Sequence, residues 1–149
     1  MKEKRIITNS IVIKADPLRV WDLLTLPENT RKYMFGCETV SDWKEGSPLL
    51  WKGIWEGQEM VFVKGRIVEI RPPEYLAYTT IDPNSSLPDI PENYLNVTYE
   101  LVPDPQGTRL TITQGDYSQV GNGDARYEES IRGGGWEPIL RQVKELAEQ

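Results

Sequence analysis

The sequence contains no histidine and only one cysteine, Cys37. Histidine is the commonest general base and metal ligand, so its absence excludes a Ser–His–Asp triad and a Cys–His pair. A single thiol excludes an internal disulfide and argues against zinc or iron–sulfur centres. We therefore expect no metal and no cofactor. Cys37 follows an apolar Met-Phe-Gly segment and is expected to be a small buried thiol.

Long apolar runs are also absent. No stretch approaches the roughly 18 apolar residues that cross a bilayer, and Thr8, Asn9 and Ser10 interrupt the apolar residues that would form a signal peptide. We therefore expect a cytoplasmic protein without a membrane span. The net charge is −6, with acidic and basic residues interspersed. Nucleic acids and anionic membranes require a basic face, so neither is an expected partner.

The length of the chain is that of one ordinary domain, which is predicted to span residues 1–149. A strand at 6–15 precedes a helix that starts at Pro17, with Asp16 as its N-cap. A second short helix starts at Pro27. This order predicts an α+β fold, a curved antiparallel sheet with helices on one face. Six further strands are predicted at Glu38–Trp43, Pro48–Trp55, Met60–Ile70, Tyr75–Ile81, Tyr94–Val102 and Thr108–Gln114, and the last two alternate apolar with polar residues.

Two segments depart from this regular pattern. Residues 81–93 hold three prolines and no periodicity, which is typical of a lid or binding loop, or of a loop that is merely mobile. Residues 61–70 are apolar at both odd and even positions, so the pattern does not assign a buried face. A bulge at Gly65 is the predicted reason.

The C-terminal stretch "RGGGWEPIL", residues 132–140, combines the two weakest helix formers with a helical pattern. Pro138 cannot donate a hydrogen bond to residue 134, which is glycine. We therefore predict a kinked or broken helix, with segments at 125–132 and 136–148. The alternative is that residues 121–135 form a loop and that the helix begins near Trp136. In both cases the missing side chains predict open space beside Trp136, a candidate cavity mouth.

Four segments resemble, in the same order, the START-related helix-grip (polyketide cyclase / Bet v-like) superfamily. They are "SIVIKADPLRVWDLLT" (10–25), "GRIVEIRPPEYLAYT" (65–79), "VTYELVPDPQGTRLTIT" (97–113) and "GWEPILRQVKELAE" (135–148). The most similar subgroup is homologous to the C-terminal domain of the activator of the heat-shock-protein-90 ATPase. The resemblance implies a seven-stranded antiparallel sheet wrapped around a long C-terminal helix. It also implies an apolar cavity between them, because relatives bind lipids, sterols, polyketides or plant hormones.

Aromatic residues supply the candidate binding site. Tyrosine and tryptophan present an apolar ring and a polar tip, which can orient a ligand in an otherwise apolar pocket. Their alternative role is ordinary core packing. The predicted lining of the cavity is Trp51, Phe62, Tyr78, Tyr99, Ile112, Trp136 and Leu140.

Three functions remain open from the sequence. The favoured one is binding of a small apolar or aromatic ligand, lipid or polyketide-like, between the sheet and the C-terminal helix. The alternative is a chaperone-interaction module, although 149 residues hold no counterpart of the activator's other domain. A cyclase or hydrolase using Glu69, Glu100, Asp116 or Tyr99 is less favoured. The position of Glu100 predicts the wet face of its strand, and Glu69 fits an ion pair better than acid–base catalysis.

Overall fold

The computed structural model describes residues 4–149 as a curved antiparallel sheet with helices on its concave face. The four helices are α1 (Pro17–Thr25), α2 (Pro27–Tyr33), α3 (Gly123–Arg132) and α4 (Glu137–Ala147). The seven strands are β1 (Ile7–Ile13), β2 (Glu38–Ser41), β3 (Pro48–Trp55), β4 (Gln58–Arg71), β5 (Tyr75–Thr80), β6 (Leu95–Asp104) and β7 (Gly107–Gly115). Their order across the sheet is β1-β7-β6-β5-β4-β3-β2. The predicted α+β, helix-grip fold is therefore confirmed. No helix within the described range is both long and apolar enough to cross a bilayer.

Helix α1 begins where the sequence predicts. The carboxylate of Asp16 accepts a hydrogen bond from the N–H of Arg19 at 3.0 Å, and Pro17 is the first helical residue. The Arg19 guanidinium in turn donates to the carbonyl oxygens of Ala147 and Leu146 at 2.7 and 3.0 Å. A cation at the end of a helix satisfies its free carbonyls. This contact therefore joins α1 to the end of α4.

The core lies on the concave face, where alternate residues of the central strands meet α1 and α4. Val97 of β6 and Ile112 of β7 are fully buried, and they share one apolar cluster with Leu140 and Val143 of α4. The opposite face is polar, with Thr98 of β6 among its residues. The alternation that predicts one dry and one wet face in β6 and β7 is confirmed.

Strand β4 contains two bulges. Its register with β3 shifts at Phe62, and its register with β5 shifts at Val68. A bulge adds one residue and therefore reverses the face that the following side chains occupy. For this reason residues 61–70 are apolar at both odd and even positions.

The predicted bulge at Gly65 is wrong, because Gly65 pairs in register with Leu49 of β3. A Cβ atom at this position would lie 1.6 Å from the carbonyl oxygen of Thr79. Glycine is needed here because the backbone of β5 passes too close for any side chain.

The glycine run ends α3 in a Schellman motif. The N–H of Gly134 donates to the carbonyl of Ile131 at 3.0 Å, and that of Gly135 donates to Ser130 at 2.8 Å. Gly134 has a φ of +90°, a conformation that ends helices and favours glycine. Pro138 lies in the first turn of α4, where a missing N–H leaves no helical bond unmade. The prediction of a broken helix is confirmed, and the alternative loop over 121–135 is wrong.

The expected open space beside Trp136 does not occur at the glycine run. A Cβ atom on Gly135 would lie 2.7 Å from Oδ1 of Asn9 and 3.0 Å from Cγ2 of Ile7. The same Asn9 oxygen accepts the N–H of Trp136 at 3.0 Å. The glycine therefore lets the link between α3 and α4 cross closely over β1, and the predicted cavity mouth at this point is wrong.

Replacing Gly134 by alanine is expected to lower the free energy of unfolding by about 1 to 2 kcal/mol, because a side chain disfavours the left-handed conformation. Gly133 is the matched control, since its φ of −78° is helical and a Cβ atom would meet nothing closer than 3.6 Å. Urea denaturation of both variants measures the difference. Equal losses in the two variants would contradict the Schellman interpretation.

Candidate ligand-binding cavity

An uncharged cavity of about 380 Å³ lies on the concave face of the sheet, beside the start of α4. Its volume is more than twice the roughly 150 Å³ of an engineered cavity that accepts benzene. None of the residues described around it carries a charged side chain. The lining residues are Met34, Phe35, Cys37, Trp51, Phe62, Val63, Tyr78, Thr80, Val97, Gln114 and Trp136.

Most of the lining residues are strand residues whose side chains point to the concave face, because side chains alternate between the two faces along a strand. Trp51 of β3, Tyr78 of β5 and Val97 of β6 all project from the concave face and are buried. Phe62 and Val63 are consecutive in sequence, yet both border the cavity, because the bulge at Phe62 turns neighbouring side chains to one face. The bulge therefore adds an aromatic ring to the wall that simple alternation would place outside.

Four of the seven predicted lining residues border the cavity, namely Trp51, Phe62, Tyr78 and Trp136. The other three are in the core. Tyr99, Ile112 and Leu140 are at most 1% exposed and are not part of the wall. The physical reason is that α4 packs against β1 and α1, so that its apolar face is sealed at that end of the sheet. Ligand contact by any of the seven residues stays a prediction.

Sequence reasoning missed several wall residues. Val97 has the same parity as Tyr99 in β6, so the alternation could have identified it. Met34, Phe35 and Cys37 lie between α2 and β2, a segment without periodicity, and no signal in the sequence points to them. Phe35 is 88% exposed although it borders the cavity, so the cavity reaches the surface beside this ring.

The loop at 81–93 does not border this cavity, so the prediction of a lid over it is wrong; a binding role elsewhere, or a merely mobile loop, stays a prediction. The loop instead lies along β4: Asp89 pairs with Lys64, and the Asn84 amide donates to the carbonyl of Val61 at 2.9 Å. Lys64 projects from the convex face, so its ion pair holds the loop on the side of the sheet opposite the cavity.

A larger groove of about 580 Å³ lies on the convex face. Arg66 and the Lys64–Asp89 ion pair border it, together with Leu50, Val68 and Tyr94. Charged and exposed groups of this kind are well solvated by water. The smaller concave cavity is therefore the better site for an apolar molecule, although it is not the largest in volume.

Trp136 is held rigidly at the cavity wall. Its indole N–H donates to the side-chain oxygen of Gln114 at 2.8 Å, and its ring lies edge-on to Tyr99 with centroids 6.0 Å apart. Together with the backbone bond to Asn9, these contacts fix both ends of the residue. Preorganised aromatic walls of this type reduce the entropy lost when a ligand binds.

Three buried tyrosines, Tyr33, Tyr78 and Tyr99, lie close to one another, and Tyr78 is the one that borders the cavity. The hydroxyl oxygens of Tyr78 and Tyr99 are 2.6 Å apart, and the Tyr33 hydroxyl donates to the carbonyl of Leu24 at 2.9 Å. Burial raises the pKa of all three phenols above the usual value of tyrosine. Burial also raises the pKa of the Cys37 thiol. The cavity wall is therefore uncharged at neutral pH.

The carboxylates that the sequence offered for catalysis lie elsewhere. Glu69 pairs with Arg71 at 2.8 Å, in agreement with the expected ion pair, and Glu100 is exposed. Asp116 accepts hydrogen bonds from Ser118 and from the N–H of Arg5, and these bonds lower its pKa. None of the three borders the cavity. Residues 4–149 contain no group of three histidine, cysteine, aspartate or glutamate side chains that could hold a metal ion.

Similar solved structures share this architecture. A protein from Cytophaga hutchinsonii is 35% identical, with 98% of this chain and 95% of that chain covered and a TM-score of 0.75. A protein from Chromobacterium violaceum is 24% identical, with 97% and 98% covered and a TM-score of 0.67. The Aha1 dimer from Colwellia psychrerythraea is 16% identical, with 96% of each chain covered and a TM-score of 0.69. The last two similarities show the fold alone.

The comparison with curated proteins returned no match. The model of one protein family, described as "Activator of Hsp90 ATPase homolog 1-like protein", matches residues 14–148, which is nearly the whole chain. This match agrees with the subgroup that the four sequence segments resemble. The chain therefore belongs to the family of Activator of Hsp90 ATPase homolog 1-like proteins.

Proposed function

We propose that this protein binds a small, neutral, apolar molecule in the concave cavity. The observation that carries the proposal is the wall itself: about 380 Å³ bordered by aromatic and aliphatic side chains without a charge. Ligand sites are typically concave, mostly apolar and equipped with a few polar groups. Membership of the family supports the assignment of the domain type. It does not identify a ligand, because one fold hosts many functions.

Neutrality follows from the cost of burying a charge. An ion that leaves water without a partner loses several kcal/mol of solvation free energy. The lining offers no cation or anion to offset that loss, and burial keeps the thiol of Cys37 and the phenol of Tyr78 in their neutral forms. A neutral molecule therefore suits this cavity better than a carboxylate or an amine of the same shape.

Octanol and octanoate, which share one chain length, test this proposal. At a hundred times its dissociation constant a ligand adds about 2.7 kcal/mol to the free energy of unfolding, which for a chain of this size raises Tm by roughly 5 to 10 °C. Octanol is expected to produce such a saturable rise, and octanoate is expected to produce much less. A panel of neutral apolar compounds without any effect on Tm, or an equal effect of octanoate, would contradict the proposal.

Cys37 provides a second readout of the same experiment. It is the only cysteine of the chain, it is 5% exposed, and it borders the cavity. A bound molecule should slow its reaction with methyl methanethiosulfonate, a small neutral thiol reagent. Protection that saturates at the same octanol concentration as the rise in Tm assigns the binding to this cavity.

A second candidate function is contact with a chaperone of the Hsp90 class. It is favoured by family membership and by three large apolar side chains that face solvent. Phe35, Ile54 and Trp55 are 88%, 67% and 58% exposed, and exposed apolar residues that form a contiguous patch are typical of interaction surfaces. This function is supported if the wild-type protein binds purified Hsp90 and the Trp55→Ser variant does not, while the variant keeps the wild-type Tm. No binding at micromolar concentrations counts against it.

A further inference from the structure

The buried hydroxyl pair at the cavity leaves one hydrogen-bond donor unused. Tyr78 and Tyr99 each carry one O–H group, and their oxygens are 2.6 Å apart. Only one of the two hydrogens can lie between those oxygens. Across residues 4–149 neither hydroxyl has another hydrogen-bonding partner. The second hydrogen is therefore without an acceptor, in a place where both side chains are at most 2% exposed.

The cavity is the place where this hydrogen can find an acceptor. Tyr78 borders the cavity and Tyr99 does not. When Tyr99 donates to the Tyr78 oxygen, the Tyr78 hydrogen is free to point away from Tyr99. A hydroxyl that accepts one hydrogen bond donates a stronger one. The pair therefore presents Tyr78 as the donor.

The other polar side-chain groups of the cavity wall are consistent with a wall that donates a hydrogen bond to the ligand. The indole N–H of Trp51 also has no acceptor within the described part of the chain, and its ring centroid is 6.3 Å from that of Tyr78. The Gln114 side-chain oxygen already accepts the Trp136 indole N–H. Gln114 and Thr80 are half-buried, so water can satisfy them. Within the described residues no buried side-chain nitrogen or oxygen is without a hydrogen-bond partner, so the Trp51 N–H is open to water. The second hydrogen of the Tyr78–Tyr99 pair is therefore the buried donor without an acceptor, and such a donor is costly.

We propose that the ligand of this cavity carries a hydrogen-bond-accepting oxygen of the carbonyl type, which accepts the hydrogen of Tyr78. Ketones, aldehydes, esters and amides with an apolar body belong to this class, and plain hydrocarbons do not. This inference rests on the proposed function, since it names the chemical class that the same cavity selects.

Benzophenone and diphenylethylene test the inference, because they share one shape and differ in a C=O or a C=CH₂ group. A hydrogen bond to a neutral acceptor corresponds to roughly a two- to tenfold gain in affinity, so benzophenone should bind the wild-type protein more tightly by that factor. In Tyr78→Phe the two affinities should become equal. In the matched control Tyr99→Phe the preference should persist, because the Tyr78 hydrogen remains. Equilibrium dialysis measures all six affinities.

Each outcome separates the inference from the function on which it rests. Equal binding of both compounds to the wild type overturns the donor assignment and leaves the cavity as a ligand site. Failure of both compounds to bind overturns the inference, and the proposed function is overturned with it when octanol also leaves Tm unchanged. The infrared C=O stretch of benzophenone in the wild-type complex gives a readout that needs no variant. A band at lower wavenumber than in an alkane solvent is expected, and an unshifted band contradicts the inference.

Discussion

Tryptophan in place of Val63 is expected to lower the affinity for octanol and benzophenone by about a hundredfold, which corresponds to roughly 2.7 kcal/mol of binding free energy. Val63 is half-buried and borders the concave cavity. A bulky indole at this position occupies the space that a ligand would fill. Because the wall reaches the surface near Phe35, the larger side chain can enter the cavity without displacing the core.

The matched control for this variant is Val61→Trp. Val61 lies on the same strand, is also half-buried, and does not border the cavity. Its affinity for both compounds should therefore remain that of the wild type. Equilibrium dialysis gives the affinities, and thermal unfolding verifies that both variants fold. Unchanged binding by a folded Val63→Trp variant would place the ligand outside this cavity.

Raising the pH above about 10 is expected to lower the free energy of unfolding by roughly 4 kcal/mol per pH unit. Burial raises the pKa of Tyr33, Tyr78 and Tyr99 in the folded protein, so they stay protonated there. In the unfolded chain the same phenols ionise near pH 10, so the unfolded state binds fewer protons. The contribution of these phenols to the free energy of unfolding has its full value below about pH 10. Above this pH it falls by about 1.4 kcal/mol per pH unit for each phenol.

Urea unfolding between about pH 9 and pH 11 measures this slope. The Tyr33→Phe variant removes one of the three phenols and is expected to reduce the slope by about 1.4 kcal/mol per pH unit. A flat profile above pH 10 would show that these hydroxyls ionise in the folded protein, and that they are more accessible to water than their burial indicates.

Local signals in the sequence predict much of this fold. The Asp16–Pro17 pair starts α1, and the regular alternation in β6 and β7 assigns their buried faces. Gly134 and Pro138 predict the break between α3 and α4. In each case a physical rule acts over a few residues, so that the sequence pattern contains the whole cause. The mechanism of the helix break was still misjudged, because the left-handed Gly134 ends α3 while Pro138 starts α4.

Features set by distant partners could not be predicted. The bulges at Phe62 and Val68 depend on how β4 pairs with two other strands. The loop at 81–93 contacts β4 through the backbone bonds between Ile81 and Lys64, the Asn84 bond to Val61 and the Lys64–Asp89 ion pair. None of these partners is identifiable from the local pattern of its own segment.

In the candidate site, too, some residues could be predicted from local sequence signals and others depend on distant contacts. Trp51 and Tyr78 were predicted as lining because inward aromatic residues on middle strands face the helix side. Leu140 was predicted as lining on the C-terminal helix, yet α4 packs over the β1 end of the sheet, and Leu140 is buried in the core. Cys37 belongs to a loop that the sheet brings to the cavity, and only the tertiary structure shows this.

Photo-crosslinking with benzophenone tests the central claim most directly, because the excited ketone inserts into C–H bonds that it touches. The concave cavity and the convex groove offer different targets for mass spectrometry. We expect saturable adducts at wall residues such as Met34, Val63 and Val97, suppressed by octanol and absent from Val63→Trp. Adducts confined to Leu50 and Val68 of the convex groove, or adducts that octanol does not suppress, would contradict the assignment of this cavity as the ligand site.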